Sequence, residues 1–184
     1  VFTYHGDIDT LMSPLDSIRY YKTFLRSGFM SMDPKTGAVK AYVGGLDYSH
    51  FMYDMVSLGR RQVGSTIKPF LYSLAMENGF SPCDLAPNRQ HTYMVAGRPW
   101  TPRNANHSRY GQMVTLKWGL QQSNNWISAY LMSKLNPQQF VQILRDFGIN
   151  SPDIHASMSL CLGPCEVSVS EMVSAYTVFA NHGI

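Results

Sequence analysis

The sequence predicts an α/β fold, layered as α+β, in which an N-terminal β-hairpin precedes a mostly helical stretch. Strand-prone runs at residues 29–33 and 38–43 flank a turn-forming Pro-Lys-Thr-Gly segment. Apolar residues recur at helical spacing from Ser65 onward. With 184 residues, 45% of them apolar and 15% charged, the chain is long enough for one domain with a core.

The N-terminal residues 1–28 are predicted to form a linker helix that leads into a domain spanning residues 29–184. Ser13 is a typical N-cap and Pro14 a typical first helical residue, so this helix is expected over residues 15–25. The hairpin of residues 29–43 then opens the domain.

Further helices are indicated by periodic apolar residues between capping signals. Gly79 and Gly148 occupy the usual position just after a helix, and Ser168 with Glu171 forms the pattern of a capping box. The segment 81–109 is rich in Pro, Asn and Arg and is predicted to be a long surface excursion. The predicted helices are 65–78, 114–122, 126–135, 137–147 and 172–181.

Ser65 and Lys68 form the most informative pair in the chain. Residues three apart on a helix share a face, so the lysine could remove the proton that makes a serine hydroxyl a poor nucleophile. Ser65 is also expected at a helix N-terminus, where free N–H groups favour negative charge. Ser-x-x-Lys alone occurs by chance in many chains, so it is only a hypothesis.

A second polar motif, Ser123-Asn124-Asn125, lies between two predicted helices. Ser and Asn are favoured N-cap residues, so the triplet could simply begin the second helix. Alternatively, it is a Ser-x-Asn motif in which the hydroxyl relays a proton and the amide holds a peptide substrate. Both interpretations stay open from the residues alone.

Together these motifs resemble the transpeptidase domain of class A penicillin-binding proteins, the bifunctional peptidoglycan synthases of bacteria. The resemblance extends over most of residues 29–184. Besides the two motifs it rests on family-like segments in the expected order: residues 33–37, 41–45, 100–104, 111–116 and 175–181.

The resemblance implies a D,D-transpeptidase of penicillin-binding protein and serine β-lactamase-like fold. Ser65 would attack the D-Ala-D-Ala bond of a stem peptide, Lys68 would take its proton, and Ser123 would pass a proton to the leaving D-alanine. Asn125 and Gly64 would contact the substrate, and the Ser65 N–H would stabilise the oxyanion. β-Lactam antibiotics would trap Ser65 as an ester.

The family's third motif, Lys-Thr-Gly on a later strand, does not follow the last predicted helix. Lys35-Thr36-Gly37 has the right letters, yet it precedes Ser65 and is expected to be a hairpin turn without a catalytic role. We therefore expect these 184 residues to be a truncated piece of the domain. Because the missing strand supplies an oxyanion donor and a carboxylate anchor, we expect the isolated piece to be inactive or impaired.

Two alternatives remain beside the transpeptidase. The chain could be a catalytically inert fragment of that domain. It could instead belong to a serine β-lactamase-like hydrolase, but no segment resembles a water-activating Glu loop, and Asn125 differs from the Ser-x-Val of oxacillinases.

Composition excludes several other classes. The net charge of +3 is mild and the basic residues are scattered, so no nucleic-acid partner is expected. Cys161 and Cys165 lack metal-ligand spacing, and no metal or cofactor is expected. Buried thiols are expected, although the formation of one disulfide remains an open alternative.

The resemblance implies a periplasmic protein, or one on the outer face of the inner membrane, held by an N-terminal anchor upstream of a glycosyltransferase domain.

Overall fold

A computed structural model describes residues 1–183. The α-helices are α1 (Pro14–Lys22), α2 (Lys68–Glu77), α3 (Leu116–Gln121), α4 (Asn125–Met132), α5 (Pro137–Asp146) and α6 (Val169–Ala180). The strands are β1 (Phe29–Met32), β2 (Val39–Val43), β3 (Arg60–Gln62), β4 (Leu85–Pro87), β5 (Tyr93–Val95), β6 (Arg98–Trp100), β7 (Met113–Thr115) and β8 (Glu166–Ser168). Short 3-10 helices occupy Gly64–Ile67 and Met158–Leu162. The strands pair as β1–β2, β3–β8, β4–β7 and β5–β6.

The chain divides into two compact units. The first comprises Val1–Arg60 and the C-terminal stretch from Ser168, and the second is Arg61–Val167. In the first unit β1 and β2 form the predicted antiparallel hairpin, with Phe29 opposite Val43. Its turn carries an exposed Lys35, consistent with the non-catalytic interpretation of that segment. Helix α6 packs against β1.

The predicted capping box of α6 is confirmed. Ser168 accepts a hydrogen bond from the Glu171 amide, and Glu171 in return accepts one from the Ser168 amide. This reciprocal pair satisfies two of the N–H groups that a helix start leaves open.

The second unit contains the helical core. Apolar faces of α2, α4 and α5 pack together, because each helix repeats its apolar residues at helical spacing. The fully buried members include Phe70, Leu71, Ile127, Leu131 and Phe140.

Several sequence-based expectations were wrong: among the predicted helices, α4 ends at Met132 rather than residue 135, and α6 begins at Val169 rather than residue 172. Helix α3 begins at Leu116 rather than residue 114, because residues 113–115 pair with β4 and the Thr115 side chain then caps α3. Helix α1 ends at Lys22 rather than residue 25. The segment 81–109 is not wholly superficial, since it contains β4–β6 and the fully buried Asn88.

The cysteines follow the prediction only in part. Cys161 and Cys165 are buried, whereas Cys83 is exposed, and all three are free thiols. Within residues 1–183, no group of three or more His, Cys, Asp or Glu side chains is placed to hold a metal ion. No helix in that part of the chain is both long and apolar enough to cross a membrane.

Candidate active site

Ser65 lies in the 3-10 turn Gly64–Ile67, which leads directly into α2. The α-helix therefore starts three residues later than the periodicity predicts, with Pro69 in its first turn, where a missing N–H costs little. The Ser65 side chain is exposed. Within residues 1–183 neither its hydroxyl nor its amide N–H donates a hydrogen bond, so both groups are open to a ligand.

Gly64 shapes this turn by adopting a left-handed backbone conformation, with φ of +54°. Its amide donates a 3.0 Å hydrogen bond to the Gly163 carbonyl, and the Val63 amide donates one of 3.1 Å to the Cys165 carbonyl. A Cβ on Gly163 would lie 2.2 Å from the Gly64 carbonyl oxygen. The Gly64 N–H is thus already used within the protein, and the closeness of two glycines holds the serine turn in place.

Lys68 begins α2 and is 1% exposed. Its ammonium donates three hydrogen bonds: to the Ser123 carbonyl at 2.6 Å, to Ser123 Oγ at 3.1 Å and to Asn125 Oδ1 at 2.7 Å. A lysine ammonium has three donors, so this set uses all of them. The structure therefore brings together Lys68, Ser123 and Asn125, whereas Ser65 and Lys68 share no side-chain hydrogen bond.

Burial lowers the pKa of Lys68 to about 8, because the protein interior disfavours its charge. A Cys161 thiolate would oppose this effect, but burial raises the pKa of its thiol to about 12. The thiol therefore stays neutral at physiological pH. At pH 7 about one lysine in ten would be neutral, compared with fewer than one in a thousand for an unperturbed group.

The turn between α3 and α4 presents Ser123 and Asn125 to this lysine. Ser123 has φ of +49°, a left-handed conformation that is uncommon for a residue with a side chain. Asn124 is the N-cap of α4, since its side-chain oxygen accepts from the amides of Trp126 and Ile127. The two interpretations of the triplet are therefore compatible: its middle residue caps the helix, and the residues on either side contact Lys68.

Asn125 has a second partner that the sequence reasoning did not identify. Its Nδ2 donates a 2.7 Å hydrogen bond to the Arg103 carbonyl, while its Oδ1 accepts from Lys68. The family-like segment at residues 100–104 indicated that this region matters, but its sequence does not show which backbone carbonyl accepts a hydrogen bond from Asn125. A side-chain amide has two N–H donors, so one remains for a ligand.

These contacts define what the site can do chemically. When protonated, Lys68 Nζ has no free donor; when neutral, it gains a lone pair that could accept a proton from a hydroxyl. Ser65 supplies a hydroxyl and an amide N–H that donate to no group among residues 1–183; the hydroxyl lies one helical turn before the lysine, and the amide could stabilise an oxyanion. The arrangement suits nucleophilic attack by a serine assisted by an amine base.

Comparison with protein families gives two matches. Residues 27–184 match the model of the penicillin binding protein transpeptidase domain, and residues 1–25 match the penicillin-binding protein middle domain.

Individual relatives agree with the family match. The chain is 36% identical over 162 residues to penicillin-binding protein 1A of Neisseria meningitidis, covering 86% of the chain and 20% of that relative. It is 31% identical over 160 residues to penicillin-binding protein 1A of Pseudomonas aeruginosa, covering 86% of the chain and 19% of that relative. The chain thus spans about a fifth of the length of these curated relatives.

A crystal structure shares the fold. Penicillin-binding protein 1A from Haemophilus influenzae superposes with a TM-score of 0.78 at 31% identity, over 84% of this chain and 23% of that one.

Proposed function

Because this chain belongs to the penicillin-binding protein transpeptidase family, we propose that it carries the acylation site of a peptidoglycan D,D-transpeptidase with Ser65 as the nucleophile. The observation that supports this most directly is the buried Lys68. Its three hydrogen bonds run to the two polar residues of the second motif.

In the proposed acylation step, Ser65 Oγ attacks the carbonyl carbon of the terminal D-Ala-D-Ala peptide bond. Neutral Lys68 Nζ takes the hydroxyl proton, and the Ser65 N–H donates to the oxygen that becomes negative. The C–N bond then breaks, and the leaving D-alanine amine receives a proton through Ser123 Oγ, which already contacts Nζ. The products are a serine ester and free D-alanine.

Asn125 is proposed to hold the peptide by its remaining N–H, since the other N–H and the Oδ1 are bonded within the protein. In the second step an acceptor amine attacks the ester carbonyl and releases Ser65. Penicillin would acylate the same serine: attack on its strained amide would open the ring and give a penicilloyl ester, with the expelled ring nitrogen still attached to the acyl group. Gly64 would border the substrate through the shape of its turn, because its own N–H is engaged by Gly163.

The cellular setting is proposed by analogy with the relatives. By analogy with proteins named penicillin-binding protein 1A, this domain would lie on the extracytoplasmic side of the inner membrane. The same polypeptide would carry a glycosyltransferase domain. Peptidoglycan stem peptides and β-lactams would be the ligands.

Covalent labelling tests the proposal. The full-length protein that carries these residues would be incubated with a fluorescent penicillin and its intact mass measured, beside Ser65→Ala and Ser57→Ala variants. Ser57 is an exposed serine outside the site and serves as the matched control. We expect one adduct in wild type and Ser57→Ala and none in Ser65→Ala. Absence of an adduct in folded wild-type protein, or labelling that persists in Ser65→Ala, would overturn the proposal.

A further inference from the structure

Two asparagines of the segment 81–109, both outside the two motifs, form hydrogen bonds to the Ser123–Asn125 turn. Asn104 Oδ1 accepts a 3.1 Å hydrogen bond from the Asn125 backbone amide. Asn88 Oδ1 accepts a 2.8 Å hydrogen bond from Asn124 Nδ2. Each of the two residues that follow Ser123 is therefore bonded to an asparagine distant in sequence.

Asn88 is rigidly placed. It is fully buried, and its Nδ2 donates to the carbonyls of Ser108 and Arg109 at 2.9 and 2.8 Å. Its backbone amide donates to the Gln112 carbonyl. A buried amide with all these partners has one favourable orientation, which leaves its oxygen directed at Asn124.

Asn104 is half-buried and is held by fewer contacts than Asn88. Its Nδ2 donates a 2.6 Å hydrogen bond to the Asn106 carbonyl, and this contact directs its Oδ1 toward Asn125. The neighbouring Pro102 and Arg103 carbonyls accept from Trp126 Nε1 and Asn125 Nδ2. The segment thus meets the start of α4 at several consecutive points.

The turn itself needs external support. Ser123 adopts a left-handed conformation that costs free energy for a residue with a Cβ, and such conformations persist only where the surroundings enforce them. Two of the three acceptors of Lys68 belong to Ser123 and the third to Asn125. Anything that lets this turn relax would move all the acceptors of the lysine together.

We propose that Asn104 and Asn88 are positioning residues for acyl transfer, acting by holding the Ser123–Asn125 turn against Lys68 Nζ. This inference rests on the proposed function of Ser65. Neither asparagine touches the reacting atoms; both act through the turn.

The inference makes a prediction that general destabilisation would not produce. With the turn relaxed, water would replace the acceptors that Lys68 loses and would relieve its burial, so its pKa would rise from about 8 toward the ordinary value of 10.5. The Cys161 thiol would act on this lysine only when ionised; its pKa of about 12 keeps it neutral over the pH range tested, and it is unaltered in the variants. A shift in the pH dependence of acylation therefore reports on the position of the turn.

The experiment measures the second-order rate constant of acylation by a fluorescent penicillin from pH 6 to pH 10 in the full-length protein. Asn104→Ala and Asn88→Ala are compared with Asn136→Ala. Asn136 caps α5 through the Gln138 amide, so its loss weakens the same unit without touching the turn. Circular dichroism and thermal unfolding establish that each variant is folded.

We expect Asn104→Ala to acylate roughly 10- to 100-fold more slowly at pH 7, as slight misplacement of catalytic groups does, with its pH midpoint raised. Asn88→Ala should change in the same direction, and Asn136→Ala should keep the wild-type midpoint. Asn104→Asp, which keeps the acceptor for the Asn125 amide, should recover the plateau rate at high pH. The new carboxylate would itself raise the pKa of Lys68, but at the high-pH plateau the lysine is neutral in every variant. Plateau rates can therefore be compared without this effect.

The inference is overturned if folded Asn104→Ala keeps the wild-type rate and midpoint, or if Asn136→Ala shifts the midpoint equally. If Asn104→Ala does not fold, the test depends on the rate of acylation that Asn104→Asp reaches at high pH. If that plateau rate is as low as the plateau rate of Asn88→Ala, the side-chain oxygen at position 104 does not position the turn, and the inference is overturned. A wild-type protein that does not acylate at all would overturn the proposed function, and this inference with it.

Discussion

Lys68 Nζ donates a 2.7 Å hydrogen bond to Asn125 Oδ1, joining two motifs 57 residues apart. This contact links the first residue of α2 to the first residue of α4. Because Lys68 is almost completely buried, the energetics of its charge depend on this turn. The chemistry proposed for Ser65 depends in turn on how readily the lysine loses its proton.

The hydroxyl of Ser123 and its backbone conformation can be tested separately. Ser123→Ala and Ser123→Gly both remove the Oγ that accepts from Lys68, so each should slow acylation by roughly 10²–10⁴-fold. Only glycine relieves the left-handed strain at φ of +49°. Ser123→Gly should therefore be about 1 kcal/mol more stable than Ser123→Ala. Urea unfolding and penicillin acylation measure the two effects; equal stabilities would show that the turn is unstrained.

Gly163 is expected to be essential for the position of Ser65. In Gly163→Ala the added Cβ would meet the Gly64 carbonyl oxygen at 2.2 Å and displace the serine turn, with a cost of about 2 kcal/mol or more. Acylation should be lost. Gly148→Ala is the matched control, because Gly148 also has positive φ but has nothing within 4 Å of an added Cβ. If both alanine variants acylate alike, the contact between the two glycines does not position the nucleophile.

Asp54 should make the first unit sensitive to acid. Its carboxylate accepts from Tyr42 and from the amides of Val56 and Ser57, and the Tyr42 hydroxyl is the main cause of its pKa of about 2. The stability gained from this ionised group is present above the unfolded pKa of 3.8 and is lost as the pH falls through about 2.

Asp54→Asn should therefore be less stable than wild type at pH 6 and should lose less on acidification. Urea unfolding at pH 6 and at pH 2.5 measures this difference. Asp146→Asn, at an exposed position on α5, should stay within roughly 0.5 kcal/mol of wild type. An acid response of Asp54→Asn identical to that of wild type would contradict the assignment.

Thiol reactivity provides a test of burial. Cys83 is exposed and should react rapidly with Ellman's reagent, whereas Cys161 and Cys165 are buried with raised pKa values and should react only on unfolding. The native protein should thus show one fast thiol of these three. Cys83→Ser should abolish the fast reaction; a fast reaction that persists would mean that the buried thiols are accessible.

Local sequence patterns predicted much of the fold. The hairpin of residues 29–43 and the capping box at Ser168 depend on residues that are close in sequence, so the local sequence was enough to predict both. The pairing of β4 with β7 brings together segments almost thirty residues apart, and this tertiary contact overrode the helical pattern predicted from residue 114.

The candidate site was predictable in composition but not in arrangement. Spacing and family resemblance selected Ser65, Lys68, Ser123 and Asn125. They did not reveal that Ser123 adopts a positive φ, which serine rarely does, or that all three donors of Lys68 are used by the second motif. Those features arise from the packing of α2 against α4, which no local pattern encodes.

The most direct test of the central claim is the pH dependence of acylation in the full-length protein, measured with a fluorescent penicillin for wild type and Lys68→Ala. If Lys68 is the base, the wild-type rate should rise with pH to a plateau, with a midpoint near the lysine pKa of about 8. Lys68→Ala should lose both the rate and this transition. A wild-type rate that is independent of pH between 6 and 10, or a Lys68→Ala variant that acylates as fast as wild type, would contradict the account.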